Sequence, residues 1–311
     1  MAAQQARILD DGAKATTRRV RRDHKNGIDP YEETLTQNFV SDYVAKVRRL
    51  KLRARVNEFT KRQEAQIYGA DIALWFVNAA DQFAGVYLQA KVLRRDDTYR
   101  GLSHRNRWGT QYQTLVDAGN RDGVLSGYVF YNGLSGAQPA RSVCGHGDGA
   151  PDINGINIAS TTLMTPHLKS VVARADVEAL CSPLSCLVRH WSASGGGGGG
   201  SPSGGPGGSG GSGGGAGKDA PTLDLPAVLL GLSESWQQPA ARLLSREELP
   251  SYVSALAETL QLSPDQLPTD GDRDYVDDPE DSWFYRSGPG RVRWSDVNPF
   301  FTAVLVGPEE S

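Results

Sequence analysis

Two apolar runs, residues 71–77 (DIALWFV) and 85–93 (GVYLQAKVL), dominate what this chain can fold into. Both are rich in β-branched and aromatic residues, and residues 78–84 between them begin like a turn, which predicts a β-hairpin. Pairing Val77 with Gly85 sets Trp75 opposite Tyr87, Ala73 opposite Gln89 and Asp71 opposite Lys91. Strand side chains alternate between faces, so Asp71, Gln89 and Lys91 share one face. Ile72, Leu74 and Phe76 share the other with Val86, Leu88, Ala90 and Val92, a face fit for a core. The hairpin therefore carries three polar groups at one end of an apolar ribbon. Small Ala73 leaves room beside them, and neighbours across a strand pair are within side-chain reach.

The surrounding chain supplies partners for such a ribbon. After Asp29-Pro30, Leu35, Phe39, Tyr43, Val44 and Val47 recur at helical spacing to about Arg49. Leu50, Leu52, Ala54 and Val56 then alternate with polar residues as in a strand. Beyond the hairpin, residues 109–119 read as a helix with Tyr112, Leu115, Val116 and Ala118, and residues 125–132 (LSGYVFYN) as a strand. The order is αβββαβ, an α/β class in which crossover helices favour a mixed sheet covered on its faces. Residues 1–27, with Arg18-Arg19-Val20-Arg21-Arg22, are polar and basic without periodicity and are expected to form a disordered arm. Residues 28–193 form the main domain, and the Gly/Ser tract at 194–217 is a flexible loop or linker. Residues 218–311 are acidic. They hold enough apolar residues at 227–260 for two helices and a strand-like Val304-Leu305-Val306, too little to fold easily alone. They either form a separate region or complete the same domain.

Charge is distributed unevenly along the chain. Residues 1–112 carry 21 Lys and Arg against 13 Asp and Glu, a net +8, whereas residues 218–311 carry 7 against 17, a net −10. A basic segment around the polar end of the hairpin suits a phosphate backbone. No apolar run approaches the roughly 18 residues of a membrane span, and the first residues have no apolar signal-peptide core. Three cysteines give no disulfide framework and fit a reducing, cytoplasmic setting.

The ordered residues Glu64, Gly69-Ala70-Asp71, Trp75-Phe76, Gly85, Gln89-Ala90-Lys91, Tyr99, Gln111, Leu115 and 128–132 (YVFYN) resemble a known pattern. It is that of the PD-(D/E)XK, restriction-endonuclease-like nuclease superfamily in its Gln-x-Lys form. The segment EETLT at 32–36 opens a helix as such domains often do, and the likeness spans about residues 28–135. It implies an αβββαβ core and metal-dependent hydrolysis of phosphodiester bonds in nucleic acid, taken as DNA, in restriction, repair or phage defence. Asp71, Gln89 and either Glu64 or Glu33 would hold Mg²⁺ or Mn²⁺, a hard cation that prefers oxygen ligands. Lys91 would stabilise charge on the phosphorus centre. Arg94, Arg95, Arg105, Arg107 and Gln111 would contact the nucleic acid. A neutral Gln89 stands where the superfamily more often has an acid, so the second carboxylate must come from Glu64 or Glu33. Expected partners are nucleic acid and, as a homodimer, a second copy of the chain, with no membrane. The alternative is an inactive nucleic-acid-binding or protein-interaction module that keeps the fold.

Overall fold

The computed structural model describes residues 2–49, 53–59, 64–78, 80–106, 109–133, 155–189, 230, 232–260 and 301–307. Its helices are α1 (Ala2–Lys25), α2 (Glu32–Arg49), α3 (Gln111–Asp122), α4 (Thr161–Met164), α5 (Arg174–Glu178), α6 (Cys186–Arg189), α7 (Leu232–Ser235) and α8 (Ser251–Leu260). The strands are β1 (Arg53–Phe59), β2 (Ile72–Val77), β3 (Phe83–Val92), β4 (Thr98–Arg100), β5 (Arg105–Asn106), β6 (Gly109–Thr110), β7 (Leu125–Tyr131), β8 (Ile156–Ser160), β9 (Val171–Ala173), β10 (Ser182–Pro183) and β11 (Phe301–Gly307). Seven of them make one sheet in the order β1-β11-β2-β3-β7-β8-β10, while β4 pairs with β9 and β5 with β6. The large sheet is mixed: β3 and β7 run parallel, as do β11 and β2, and the other pairs are antiparallel. The parallel step from β3 to β7 passes through α3, as a parallel connection requires.

The hairpin forms, in a register two residues from the expected one. Val77 pairs with Phe83, Trp75 with Gly85, Ala73 with Tyr87 and Ile72 with Leu88. The turn is tighter than its composition suggests because Asn78 closes it. The Asn78 Oδ1 accepts the N–H groups of Ala80 and Gln82, both at 3.0 Å, and its own N–H donates to the Gln82 carbonyl at 3.1 Å. Strand pairing therefore starts at Phe83 rather than Gly85. An offset of two leaves every side chain on its expected face. Ile72, Leu74, Phe76, Ala84, Val86, Leu88, Ala90 and Val92 pack in one core with α1 and α2. Ala73, Trp75, Val77, Phe83 and Tyr87 pack in another with α3 and α8.

The expected disordered arm over residues 1–27 is corrected by α1. The inner face of this helix consists largely of small or weakly apolar residues, with Ala6, Leu9, Ala13, Thr16, Thr17 and Val20 all buried. The apolar and small residues recur at helical spacing on that face, so the helix is amphipathic, but seven Lys and Arg in the same stretch give it a low mean hydropathy that hides the period. The C-terminal strand β11 inserts between β1 and β2, antiparallel to the first and parallel to the second, so residues 301–307 belong to the same sheet as the hairpin. The flexible segment expected at 194–217 lies outside the described residues. Cys181 is a buried free thiol whose pKa burial raises. Cys186 is disulfide-bonded, which departs from the expectation of fully reduced cysteines. Among the described residues no helix is long and apolar enough to cross a membrane.

Behind the hairpin runs a chain of buried hydrogen bonds. Trp75 Nε1 donates to Tyr252 Oη at 3.1 Å, Tyr252 to Tyr87 at 3.0 Å, and Tyr87 to Asp122 Oδ2 at 2.7 Å. Arg121 clamps that carboxylate with bonds of 2.7 and 2.8 Å. Burial holds the Tyr87 and Tyr252 phenols well above their ordinary value of 10.0, and it raises Tyr43 and Tyr99 as well. A pKa raised on folding contributes stability that is complete below the unfolded value and is lost as pH rises beyond it. Thermal stability is therefore expected to fall steeply above pH about 10. A melting temperature that stays level from pH about 9 to 11 would contradict these buried phenols.

Candidate active site

The site lies where β3 outlasts β2. Strand β3 has ten residues and β2 six, so the last turn of the β3 pleat has no β2 partner. Gly69 leads the chain into this end with φ of 63°, and a Cβ there would stand 2.7 Å from the Gln111 carbonyl and 2.6 Å from the Leu115 nitrogen. Only glycine lets residues 69–71 pass so close to α3. Asp71 follows. Its N–H donates to the Leu88 carbonyl at 2.9 Å while Ile72 is the ladder partner of Leu88, so two residues face one. This is the arrangement of a β-bulge, which re-aims a side chain. Here it turns the Asp71 carboxylate towards the unpaired edge of β3, where Oδ2 accepts the Ala90 N–H at 2.6 Å.

Gln89 and Lys91 complete the cluster from β3. The Gln89 Nε2 donates to the same Asp71 Oδ2. Its Oε1 is buried and has no hydrogen-bond partner. The Lys91 Nζ donates to the Ala90 carbonyl at 2.6 Å, filling the other half of the unpaired peptide edge, and lies 3.3 Å from Glu32 Oε2. Asp71, Gln89 and Lys91 thus meet around one residue, Ala90. The Lys91 side chain is only 6% exposed and that of Glu32 27%, so the ion pair is partly shielded from water. Tyr131 on β7 closes the inner side, with its hydroxyl 2.9 Å from Thr36 Oγ1. Burial raises the Tyr131 pKa, and the Asp71 and Glu32 carboxylates raise it further against the opposing Thr36 bond. The cluster itself brings two carboxylates and one ammonium together.

Glu32 and Glu33 open α2 side by side. The structure exposes Glu33 to solvent and turns Glu32 inward to Lys91. Helical periodicity carries the signal, because Glu32 lies four residues before buried Thr36 and on the face of Phe39, Val40 and Tyr43. Arg94 and Arg95 come off the end of β3 but are tied to Asp29, at 3.9 and 3.6 Å, and the Arg95 N–H also donates to Asp29 Oδ1 at 3.0 Å. Arg105 is exposed on the β5–β6 ribbon. Gln111 opens α3, half-buried, with its N–H on the His104 carbonyl at 2.9 Å and its own carbonyl against Gly69. The Glu64 side chain and Arg107 lie outside the described residues. Thr36 from the EETLT segment, Tyr131 from the YVFYN segment and Asp29 at the entry to α2 also join the site, although the sequence assigns none of the three a role there.

The profile of a family of unknown function, DUF6615, matches residues 5–274. The chain belongs to this family. The DUF6615 match spans α1, the whole hairpin and α8, so the helix at the N-terminus is part of the family's unit. No curated protein matches the chain.

Can the residues hold a hard cation? Among the described residues no group of three or more His, Cys, Asp or Glu is placed to do so. A smaller donor set is present: the Asp71 carboxylate and the Gln89 amide oxygen, two hard oxygens on neighbouring strands. Mg²⁺ commonly takes one or two protein oxygens and keeps several waters, so this set fits it.

Proposed function

We propose that this chain is a metal-dependent nuclease that hydrolyses phosphodiester bonds in nucleic acid, DNA in the first place, on a variant of the restriction-endonuclease-like core. The observation that carries this reading is the meeting of Asp71, Gln89 and Lys91 at Ala90, with a buried Gln89 oxygen that no protein donor satisfies. A buried polar atom without a partner costs about 1–3 kcal/mol, a cost that a ligand at the site would offset. With β4, β5 and β6, which pair outside the large sheet, set aside, the order α2, β1, β2, β3, α3, β7 is compatible with αβββαβ. It departs from a simple four-stranded core in that β11 separates β1 from β2.

In this reading Asp71 and Gln89 would hold Mg²⁺. The ion would supply charge that polarises a phosphodiester oxygen and lowers the pKa of a bound water. Lys91 presents its ammonium to the charge that develops on the phosphate, and the surrounding protein keeps that ammonium largely out of water, where its field is stronger. Glu32 orients Lys91 from the start of α2. Tyr131 and Thr36 fix the inner wall and exclude water from it.

A binding module without catalysis has support of its own. A neutral glutamine and a Glu32 engaged by Lys91 leave Asp71 as the main carboxylate for a cation. Supercoiled plasmid and single-stranded RNA incubated with the full chain in Mg²⁺, Mn²⁺ or EDTA decide between the two. The nuclease reading expects nicking or degradation with metal only, and none from Asp71→Ala purified in parallel. Retained binding with no metal-dependent cleavage of either polymer would leave the binding module.

A further inference from the structure

We propose that the outer face of α1 is a track for the phosphate backbone of nucleic acid, leading to the candidate active site. Arg7, Lys14, Arg18, Arg21, Arg22 and Lys25 fall within about 100° of arc at 3.6 residues per turn. They stand opposite the buried Leu9, Ala13, Thr16 and Val20. Arg7, Arg18, Arg22 and Lys25 are exposed, and Lys14 and Arg21 are half-buried. From Arg7 to Lys25 the ridge runs about 27 Å, at 1.5 Å per residue. The inference goes beyond the proposed function, because binding along α1 requires no cleavage.

The face stays positive when the charges around it are counted. Asp11 is the one acid on this arc, and Lys46 of α2 pairs with it at 3.7 Å. Asp23 takes Arg22 at 3.2 Å, and Asp10 is buried on the inner side. Arg7, Lys14, Arg18 and Lys25 have no acidic partner among the described residues. Of the elements packed most closely on α1, α2 carries three acids and three bases, β7 and β8 carry no charge, and α6 carries only Arg189. Asp29, past the end of the helix, is paired with Arg94 and Arg95.

The chemistry of the face selects the occupant. An amphipathic helix lies on a membrane by its apolar side, and that side of α1 is already packed in the core with Leu35 and Phe39. A protein partner seats on aromatic or aliphatic anchors, and the large hydrophobics exposed among the described residues, Ile28, Tyr31 and Val171, all lie off α1. A polyphosphate needs only the row of cations. The row also leads to the site. His24, in the last turn of α1, sets its ring nitrogen 3.0 Å from the Leu93 carbonyl, two residues past Lys91. Arg21 Nε donates to the Gly133 carbonyl at 3.0 Å, two residues past Tyr131. The cationic face therefore ends at the strand ends that carry Lys91 and Tyr131, and a backbone lying along α1 continues to the cluster.

The test is a titration of the full chain in EDTA, where metal-dependent cleavage is silent, against a labelled DNA duplex and one of its strands over a series of salt concentrations. Arg7→Gln, Lys14→Gln, Arg18→Gln and Lys25→Gln combined should make the slope of log affinity against log salt shallower by about 2–4, and weaken binding at least about tenfold. Glutamine keeps the helix propensity of the residues it replaces, and a melting temperature checks the fold. A control removes as many cations elsewhere, through Arg100→Gln, Lys169→Gln, Arg242→Gln and Arg246→Gln combined, and should lose far less. Equal losses in the two variants would show that net charge rather than a track governs binding, and would overturn the proposal. So would no binding by wild type. A wild-type slope and affinity in the α1 variant would also overturn it, and would leave the face to an acidic protein segment. A loss confined to the duplex or to the single strand keeps the track and identifies the polymer it carries. Plasmid nicking measured in parallel keeps the two proposals apart. Binding that depends on α1 without any nicking means that the track holds and the nuclease reading falls; nicking with binding indifferent to α1 means the reverse.

Discussion

Lys91→Ala is expected to lower metal-dependent cleavage by about a hundred- to a thousandfold, the usual cost of removing one preorganised charge donor from a transition state. The effect is large because the Lys91 side chain is 6% exposed and its ammonium is already aimed, by the Ala90 carbonyl at 2.6 Å and Glu32 at 3.3 Å. Little reorganisation is needed when charge builds on the phosphate. Asp71→Ala should be at least as severe. It removes the carboxylate proposed to hold the cation and also strands the Ala90 N–H and the Gln89 amide, which lose their shared acceptor. Glu32→Gln separates positioning from chemistry. Its amide can still accept from Lys91 but lacks the charge, so cleavage should fall by less than in Lys91→Ala while the fold is kept. The measurements are initial rates of plasmid nicking, with melting temperatures to exclude unfolding. Cleavage by Lys91→Ala at the wild-type rate would remove Lys91 from the mechanism.

Gly155→Ala is expected to cost about 3 kcal/mol of stability, at the upper end of the usual cost of overpacking. A Cβ on residue 155 would stand 2.0 Å from Thr17 Oγ1 and 2.1 Å from the Ala13 carbonyl oxygen. The second of these is helix backbone, which cannot step aside as a flexible side chain can. Thr17 is held as well, since its hydroxyl donates to that same carbonyl at 3.1 Å. Residue 155 also anchors its neighbourhood, accepting the Asn132 N–H at 2.8 Å. The methyl group must therefore lift α1 from the end of β8. Alongside a lower melting temperature, on the order of 5 °C, the N-terminal helix should become more open to proteolysis than in wild type. An unchanged melting temperature with an unchanged protease pattern would show that α1 does not pack as described.

The hairpin was legible from residues 71–93 because alternation is a local property. A period of two assigns Asp71, Gln89 and Lys91 to one face whatever the turn does, and the two-residue offset caused by Asn78 left that assignment intact. Helices α2 and α3 and strands β1 and β7 were likewise visible in their apolar spacing. Helix α1 was legible too, through Ala6, Leu9, Ala13, Thr16, Thr17 and Val20 at helical spacing, but the charge of the stretch drew the reading towards a disordered arm. A low mean hydropathy does not exclude an amphipathic helix, because the period and the mean are independent. The sequence did not single out Glu32: the acid it offered from this helix start was Glu33, and only the packing of α2 brings Glu32 to Lys91.

What the sequence determined by itself is therefore the strand pair and the residue types at its polar end, since both depend on neighbours along the chain. Only the tertiary structure decided how those groups meet. The unpaired edge of Ala90 exists because β3 runs past β2. Asp71 turns into that edge because of a bulge, and Lys91 is aimed by a carboxylate 59 positions away in the sequence. The place of β11 between β1 and β2 is of the same kind. Strand order and side-chain convergence are set by packing between distant segments, and no local pattern encodes them.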